Sequence, residues 1–243
     1  GVSSFLVTVA TIDDVVTELT ETLILSIGSM SATGNILDND SVALTASSSQ
    51  INIACNGGSN GSASVVASGG TAPYSYSWSP SGGTAATASG LTAGNYTVTI
   101  TDDNLATITR NFTITEPTAI TTSASQTNIA CNGGATGSAS VTPSGGAGSY
   151  TYSWSPSGGT AATATGLTAG NYTCTITDAN GCTVTKTFTI TQPTALTATT
   201  SQVNVVCNGL ATGSASVVAS GAVSPYTYSW SPSGGSGATA SSL

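Results

Sequence analysis

Apolar and polar residues alternate with a period of two along most of the chain. In Gly61-Ser62-Ala63-Ser64-Val65-Val66-Ala67, one face carries Ala63, Val65 and Ala67, the pattern of a strand with one buried side. Pro73-Tyr74-Ser75-Tyr76-Ser77-Trp78 then sets three aromatics on one face and two serines on the other. Asn95-Tyr96-Thr97-Val98-Thr99-Ile100-Thr101 alternates in the same way and runs into a turn at Asp102-Asp103-Asn104. A last strand extends from Ala106-Thr107-Ile108 through Phe112-Thr113-Ile114. Threonine suits the solvent face, because its branched carbon favours extended backbone while its hydroxyl stays hydrated. Glycine pairs such as Gly69-Gly70 and Gly82-Gly83 punctuate the strands. Helix is expected to be nearly absent.

The same pattern returns twice. Cys55-Asn56-Gly57-Gly58 recurs as Cys131-Asn132-Gly133-Gly134 and as Cys207-Asn208-Gly209-Leu210, each time 76 residues on. The offset also carries Trp78 to Trp154 and Trp230, Tyr96 to Tyr172, and Pro117 to Pro193, without a gap. Face by face the copies agree: Ala139, Val141, Pro143 and Ala215, Val217, Ala219 keep the apolar side, whereas Val66 on the other side becomes Thr142. An ungapped repeat of this length is one folded module copied in tandem, not a solenoid of shorter units. Short antiparallel strands with frequent turns predict an all-β fold of tandem immunoglobulin-like β-sandwiches in a rod-like array. Leu91-Thr92-Ala93-Gly94-Asn95-Tyr96 predicts a tyrosine corner, with the Tyr96 hydroxyl tied back to the preceding loop. The expected divisions are 1–40, a different domain; 41–118, repeat one; 119–194, repeat two; and 195–243, part of repeat three.

These motifs resemble the SprB repeat of Bacteroidetes surface proteins. The resemblance rests on the Cys-Asn-Gly start, the Gly-Gly…Tyr-x-Tyr-x-Trp run, Leu-Thr-Ala-Gly-Asn-Tyr, and the Thr-Asp-Ala-Asn-Gly-Cys turn complete at Thr177 to Cys182. Repeat one departs from it, with Leu105-Ala106 where Gly181-Cys182 stands in repeat two. The resemblance implies a large cell-surface adhesin used in gliding motility, or the stalk of another exported protein. It implies export by the type IX secretion system, and engagement of outer-membrane gliding or secretion machinery through other parts of the parent protein. An external surface or polysaccharide is the expected target. The first forty residues differ. The alternating stretch Glu18 to Ile27, followed after a loop by Gly34 to Asp40, resembles the C-terminal half of a Calx-β domain. That resemblance implies a calcium site among Asp13, Asp14, Glu18, Glu21, Asp38 and Asp40, since Ca²⁺ takes roughly six to eight oxygen ligands. The alternative is that these acids solvate the surface and blunt an edge strand. Asp40-Ser41-Val42 matches a short Bacteroidetes O-glycosylation pattern, with Ser41 the acceptor.

Composition narrows the function. Charged residues make up 5% of the chain, and the net charge of −8 sets ten acids against Arg110 and Lys186. Two cations cannot neutralise a row of phosphates or hold an anionic membrane surface, so neither nucleic acid nor membrane is an expected partner. No apolar run approaches the ~20 residues of a transmembrane helix. Gly1 opens directly into strand-like sequence, as in an interior fragment. There is no histidine, which removes Ser-His-Asp and Cys-His arrangements. Arg110 and Lys186 occupy equivalent positions and are expected as surface charges. Asp102, Asp103 and Asp178 are expected as ordinary turn residues. The chain is thus read as non-catalytic. Tyr74, Tyr76 and Trp78 admit two readings, a glycan-stacking platform or the sandwich core, and recurrence in each copy fits the core.

Five cysteines leave at least one unpaired within the chain. Cys174 and Cys182 are replaced together by Val98 and Ala106 in repeat one, which suggests a disulfide stapling the last hairpin. The rival bridge joins Cys131 to Cys182. Cys55, Cys131 and Cys207 can instead be buried thiols behaving as small hydrophobes. The links Glu116-Pro117-Thr118 and Gln192-Pro193-Thr194 are short and contain proline, which restricts φ and predicts a semi-rigid connection. The functional expectation is an adhesin stalk; the alternatives are glycan-binding repeats or the spacer of a secreted enzyme.

Overall fold

The structure, a computed structural model, describes the backbone of residues 21–27, 30–36 and 42–243. The chain divides into two units, Gly1–Glu116 and Pro117–Leu243. Among the described residues there are only strands, turns and irregular segments, and every strand pairing is antiparallel.

The first described element of this unit is a hairpin of β1 (Glu21–Ile27) and β2 (Met30–Ile36), with Glu21 opposite Ile36 and Ile27 opposite Met30. The ladder runs through the whole of both strands. Repeat one follows as β3 (Thr45–Ile51), β4 (Gly61–Ser68), β5 (Ser75–Ser79), β6 (Thr87–Leu91), β7 (Gly94–Thr101) and β8 (Thr107–Ile114). They form two three-stranded sheets, β3-β4-β6 and β5-β7-β8. This is the immunoglobulin strand order reduced to six strands, with the third strand switched to the opposite sheet.

The alternation decides the core. Ala63, Val65, Ala88 and Leu91 face inward from one sheet. Trp78, Tyr96, Val98, Ile100, Phe112 and Ile114 face them from the other. Val98 and Ile100 have no exposed surface, whereas Val66, on the opposite side of β4, is 67% exposed. Trp78 packs on Phe112 with ring centroids 5.4 Å apart and tilted by 38°, a favourable aromatic geometry. The Tyr96 hydroxyl donates to the Thr92 carbonyl oxygen at 3.1 Å, which makes the tyrosine corner.

The second unit repeats this with β9 (Thr121–Thr127), β10 (Gly137–Ser144), β11 (Thr151–Ser155), β12 (Thr163–Leu167), β13 (Gly170–Thr177) and β14 (Thr183–Ile190). Its sheets are β9-β10-β12 and β11-β13-β14. Trp154 packs on Phe188, and Tyr172 donates to the Thr168 carbonyl. Beyond them β15 (Thr197–Val203), β16 (Ser214–Ser220) and β17 (Thr239–Ser241) form a single sheet. The stretch from Tyr226 to Trp230 joins no ladder. In repeat two its counterpart β11 pairs with β13. Val217 and Trp230 are half-buried, whereas their counterparts Val141 and Trp154 are buried.

Candidate functional site

Two carboxylates occupy the end of the complete sandwiches. Asp178, directly after β13, is 5% exposed, as is Asp102 after β7. The Asp178 Oδ2 accepts the Ala147 amide at 2.9 Å, and its Oδ1 accepts those of Asn180 at 3.0 Å and Cys182 at 2.9 Å. Asp102 accepts Thr71 N–H at 2.9 Å and Ala106 N–H at 2.8 Å in the same manner. Each carboxylate thus ties the turn between the last two strands to the glycine-pair loop of the strand-switching connection. That loop passes close: a Cβ on Gly146, where φ is +59°, would lie 2.6 Å from Asp178 Oδ2. The Ala147 amide holds the Asp178 carboxyl below its usual range; burial opposes this, and the amides of Cys182, Asn180 and Gly181 add to it. Sequence reading placed these aspartates in the turn but missed their burial and their long-range partners. The signal available was the fixed spacing, in both repeats, between the aspartate and the glycine pair. Their oxygens are taken up by backbone amides, so they serve the fold.

The cysteines differ from expectation. Cys174 is a free thiol with no exposed surface. It stands on the inward face of β13 where Val98 stands in repeat one, and lies in register with Lys186. The staple between Cys174 and Cys182 is therefore not formed: Cys174 points into the core, while Cys182 follows the turn that Asp178 organises. The rival bridge from Cys131 to Cys182 is not formed either, since Cys131 is free. Cys131 and Cys207 are also exposed rather than buried, because the tight Cys-Asn-Gly turn leaves their side chains outside the sandwich, and Cys55, like Cys182, is disulfide-bonded rather than a free thiol. Burial raises the Cys174 thiol pKa above its ordinary value, and a backbone hydrogen bond from Ser153 partly offsets this.

The aromatics are core rather than platform. Trp78 is 7% exposed, and its indole donates to the Ala85 carbonyl at 2.8 Å. Tyr74 and Tyr76 are half-buried against the same core, with the Tyr74 hydroxyl on the Gly69 carbonyl at 2.6 Å. Arg110 is half-buried, not merely a surface charge: its Nε and Nη2 donate to the Ala46 carbonyl at 3.1 and 2.9 Å, bridging β8 to β3 in the other sheet. Lys186 is exposed. Of the acids considered for calcium, Asp13, Asp14, Glu18, Asp38 and Asp40 lie outside the described residues, and of Glu21 only the backbone is described. Ser41 lies outside them too. Among the described residues no group of three His, Cys, Asp or Glu is placed to hold a metal, and no helix is long and apolar enough to cross a membrane.

The Cys-Asn-Gly-Gly loop has its own partners. Gly133 N–H donates to Gln192 Oε1 at 2.8 Å, and Asn132 Nδ2 donates to the Pro193 carbonyl at 2.9 Å. In repeat one, Gly57 N–H donates to Glu116 Oε2 at 2.6 Å. The loop therefore meets the segment that leaves the last strand of its own repeat.

Comparison with protein-family models gives three matches to the SprB repeat, over residues 47–83, 123–159 and 199–235. Each begins inside the first strand of a repeat and ends on the glycine pair that follows the tryptophan. No curated protein matches the chain. The matched stretches recur at the spacing read from the cysteine, tryptophan and proline positions, and each complete sandwich contains one. The chain carries three SprB repeats in tandem.

Proposed function

We propose that this chain is a stalk segment of a gliding-motility adhesin, displayed on the cell surface after export by the type IX secretion system. The observation that carries this reading is the tandem of SprB repeats, in which the sequence allows only Glu116-Pro117-Thr118 and Gln192-Pro193-Thr194 between successive modules. The buried tryptophans favour a structural role for the repeats, since a stacking platform needs its ring faces in solvent. Binding of an external surface or polysaccharide then belongs to other parts of the parent protein, as does attachment to the outer-membrane machinery. Strands of seven or eight residues at ~3.3 Å each make modules roughly 25 Å long, before loops.

Small-angle scattering on the 243-residue chain tests the reading. The expected radius of gyration lies well above the roughly 18 Å of a compact globule of this length, and stays constant when calcium is varied. A value near the compact figure would sink the stalk. A calcium response would return attention to the acids of residues 1–40.

A further inference from the structure

The segment leaving repeat two is hydrogen-bonded at nearly every residue. Gln126 Nε2 donates to the Thr189 carbonyl at 2.8 Å. Thr191 N–H donates to Asn128 Oδ1 at 3.1 Å, and the Thr191 carbonyl accepts Ile129 N–H at 2.9 Å. Gln192 and Pro193 then receive Gly133 N–H and Asn132 Nδ2 from the Cys-Asn-Gly-Gly loop. The next residue, Thr194, accepts Ala222 N–H at 2.8 Å from the Gly221-Ala222 loop of repeat three. There the chain also runs against Gly221, whose φ is +81°, and a Cβ at that position would stand 2.0 Å from the Ala195 oxygen. Thus Gln192 and Pro193 are held by repeat two and Thr194 by repeat three, with no unanchored residue between them.

From this we infer that the Cys-Asn-Gly-Gly loop is an inter-repeat latch: through Gly133 N–H and Asn132 Nδ2 it clamps Gln192-Pro193 and removes the hinge that a three-residue link would otherwise provide. The inference rests on the stalk reading for its purpose and assigns a role to a motif that the core does not use. Proline restricts φ at position 193, but ψ stays free unless its carbonyl is held, and Asn132 holds that carbonyl. Gly133 supplies the left-handed turn, at φ +77°, that aims its own N–H at Gln192. The acceptor need only be a side-chain oxygen of this length, and the first link uses Glu116 where the second uses Gln192.

The test is a distance distribution by electron–electron resonance on the full chain. Nitroxides are attached through a non-natural ketone residue at the exposed strand positions 185 and 199, leaving the cysteines untouched. The native chain is expected to give a narrow distribution, and the pair Asn132→Ala with Gln192→Ala a markedly broader one. Gln192→Glu keeps the acceptor and is expected to stay narrow. Amide exchange at Gly133 should quicken roughly fivefold or more in Gln192→Ala, as befits loss of one hydrogen bond. Core amide exchange of β13 should stay unchanged in that milder variant, which separates loss of the latch from loss of the fold. Asn208→Ala, in the corresponding loop of repeat three and away from the 192–194 link, should not broaden the distribution. A native distribution as narrow as that of the double variant would overturn the latch while leaving the stalk in place. A native distribution already broad would overturn both.

Discussion

Asp178 accepts the amide of Ala147 at 2.9 Å across thirty-one positions of sequence, and so joins the turn after β13 to the loop that carries the chain from one sheet to the other. Asp102 does the same for Thr71. A carboxylate here fills the role that a disulfide between sheets fills in many sandwiches of this order. It suits a chain in which charged residues make up only 5%, because its charge is spread over backbone amides.

This arrangement makes stability pH-dependent. The folded Asp178 carboxyl titrates below its ordinary value, which is about 4 in an unfolded chain. Its contribution is therefore present in full above that value and is lost as pH falls through the folded one. Thermal unfolding of native chain and Asp178→Asn, followed by tryptophan emission, should show a gap at pH 7 that closes in acid. A gap independent of pH would contradict the assignment.

Cys174→Val should cost under about 1.5 kcal/mol, as expected of a near-isosteric core swap, because the thiol is free and repeat one already carries Val98 at this position. Loss of a disulfide would cost roughly 2–4 kcal/mol. Alkylation in denaturant without reductant, read by mass spectrometry, should label Cys174. In the native chain the same thiol should react slowly, since burial both shields it and disfavours the thiolate.

Ile176 has no exposed surface and lies at the centre of the second core. Ile176→Ala should destabilise repeat two by about 2–5 kcal/mol in denaturant unfolding. Thr175→Ala, on the outward face of the same strand, should change stability by no more than about 0.5–1 kcal/mol. Equal losses at the two positions would show the facing to be wrong.

Tyr172→Phe removes the hydroxyl that donates to the Thr168 carbonyl and leaves the ring in the core. The expected loss is about 1 kcal/mol, read as a lower denaturation midpoint with unchanged slope.

Much of this molecule was legible from period and spacing. The strands β4, β7 and β8 stand where alternation puts them, because each buries one face against a complete partner sheet. Trp78 and Tyr96 announced the sandwich, since their roles require a fixed place on the third and fifth strands. The strands β3 and β6 gave no comparable signal. Of β3 only Ala46 is even half-buried, and β6 is five residues long with Ala88 and Leu91 as its buried positions. An edge strand of serine and threonine is recognised by its ladder, not by its side chains.

The sequence by itself determined the module, its length, its copying and its inward face, because these follow from local periodicity and from repetition at one offset. Only the tertiary structure decided what the polar and sulfur-bearing residues do. Whether Asp178 is a solvated turn residue or a buried anchor depends on which loop, thirty-one positions earlier, folds over it. Joint replacement of Cys174 and Cys182 suggested a bond, yet the inward face of β13 commits Cys174 to the core. The Cys-Asn-Gly-Gly loop likewise acquires its partners only when the last strand of the same repeat returns beside it. Hydrogen bonds and thiol pairing are set by approach in space, and approach between distant segments is fixed by packing.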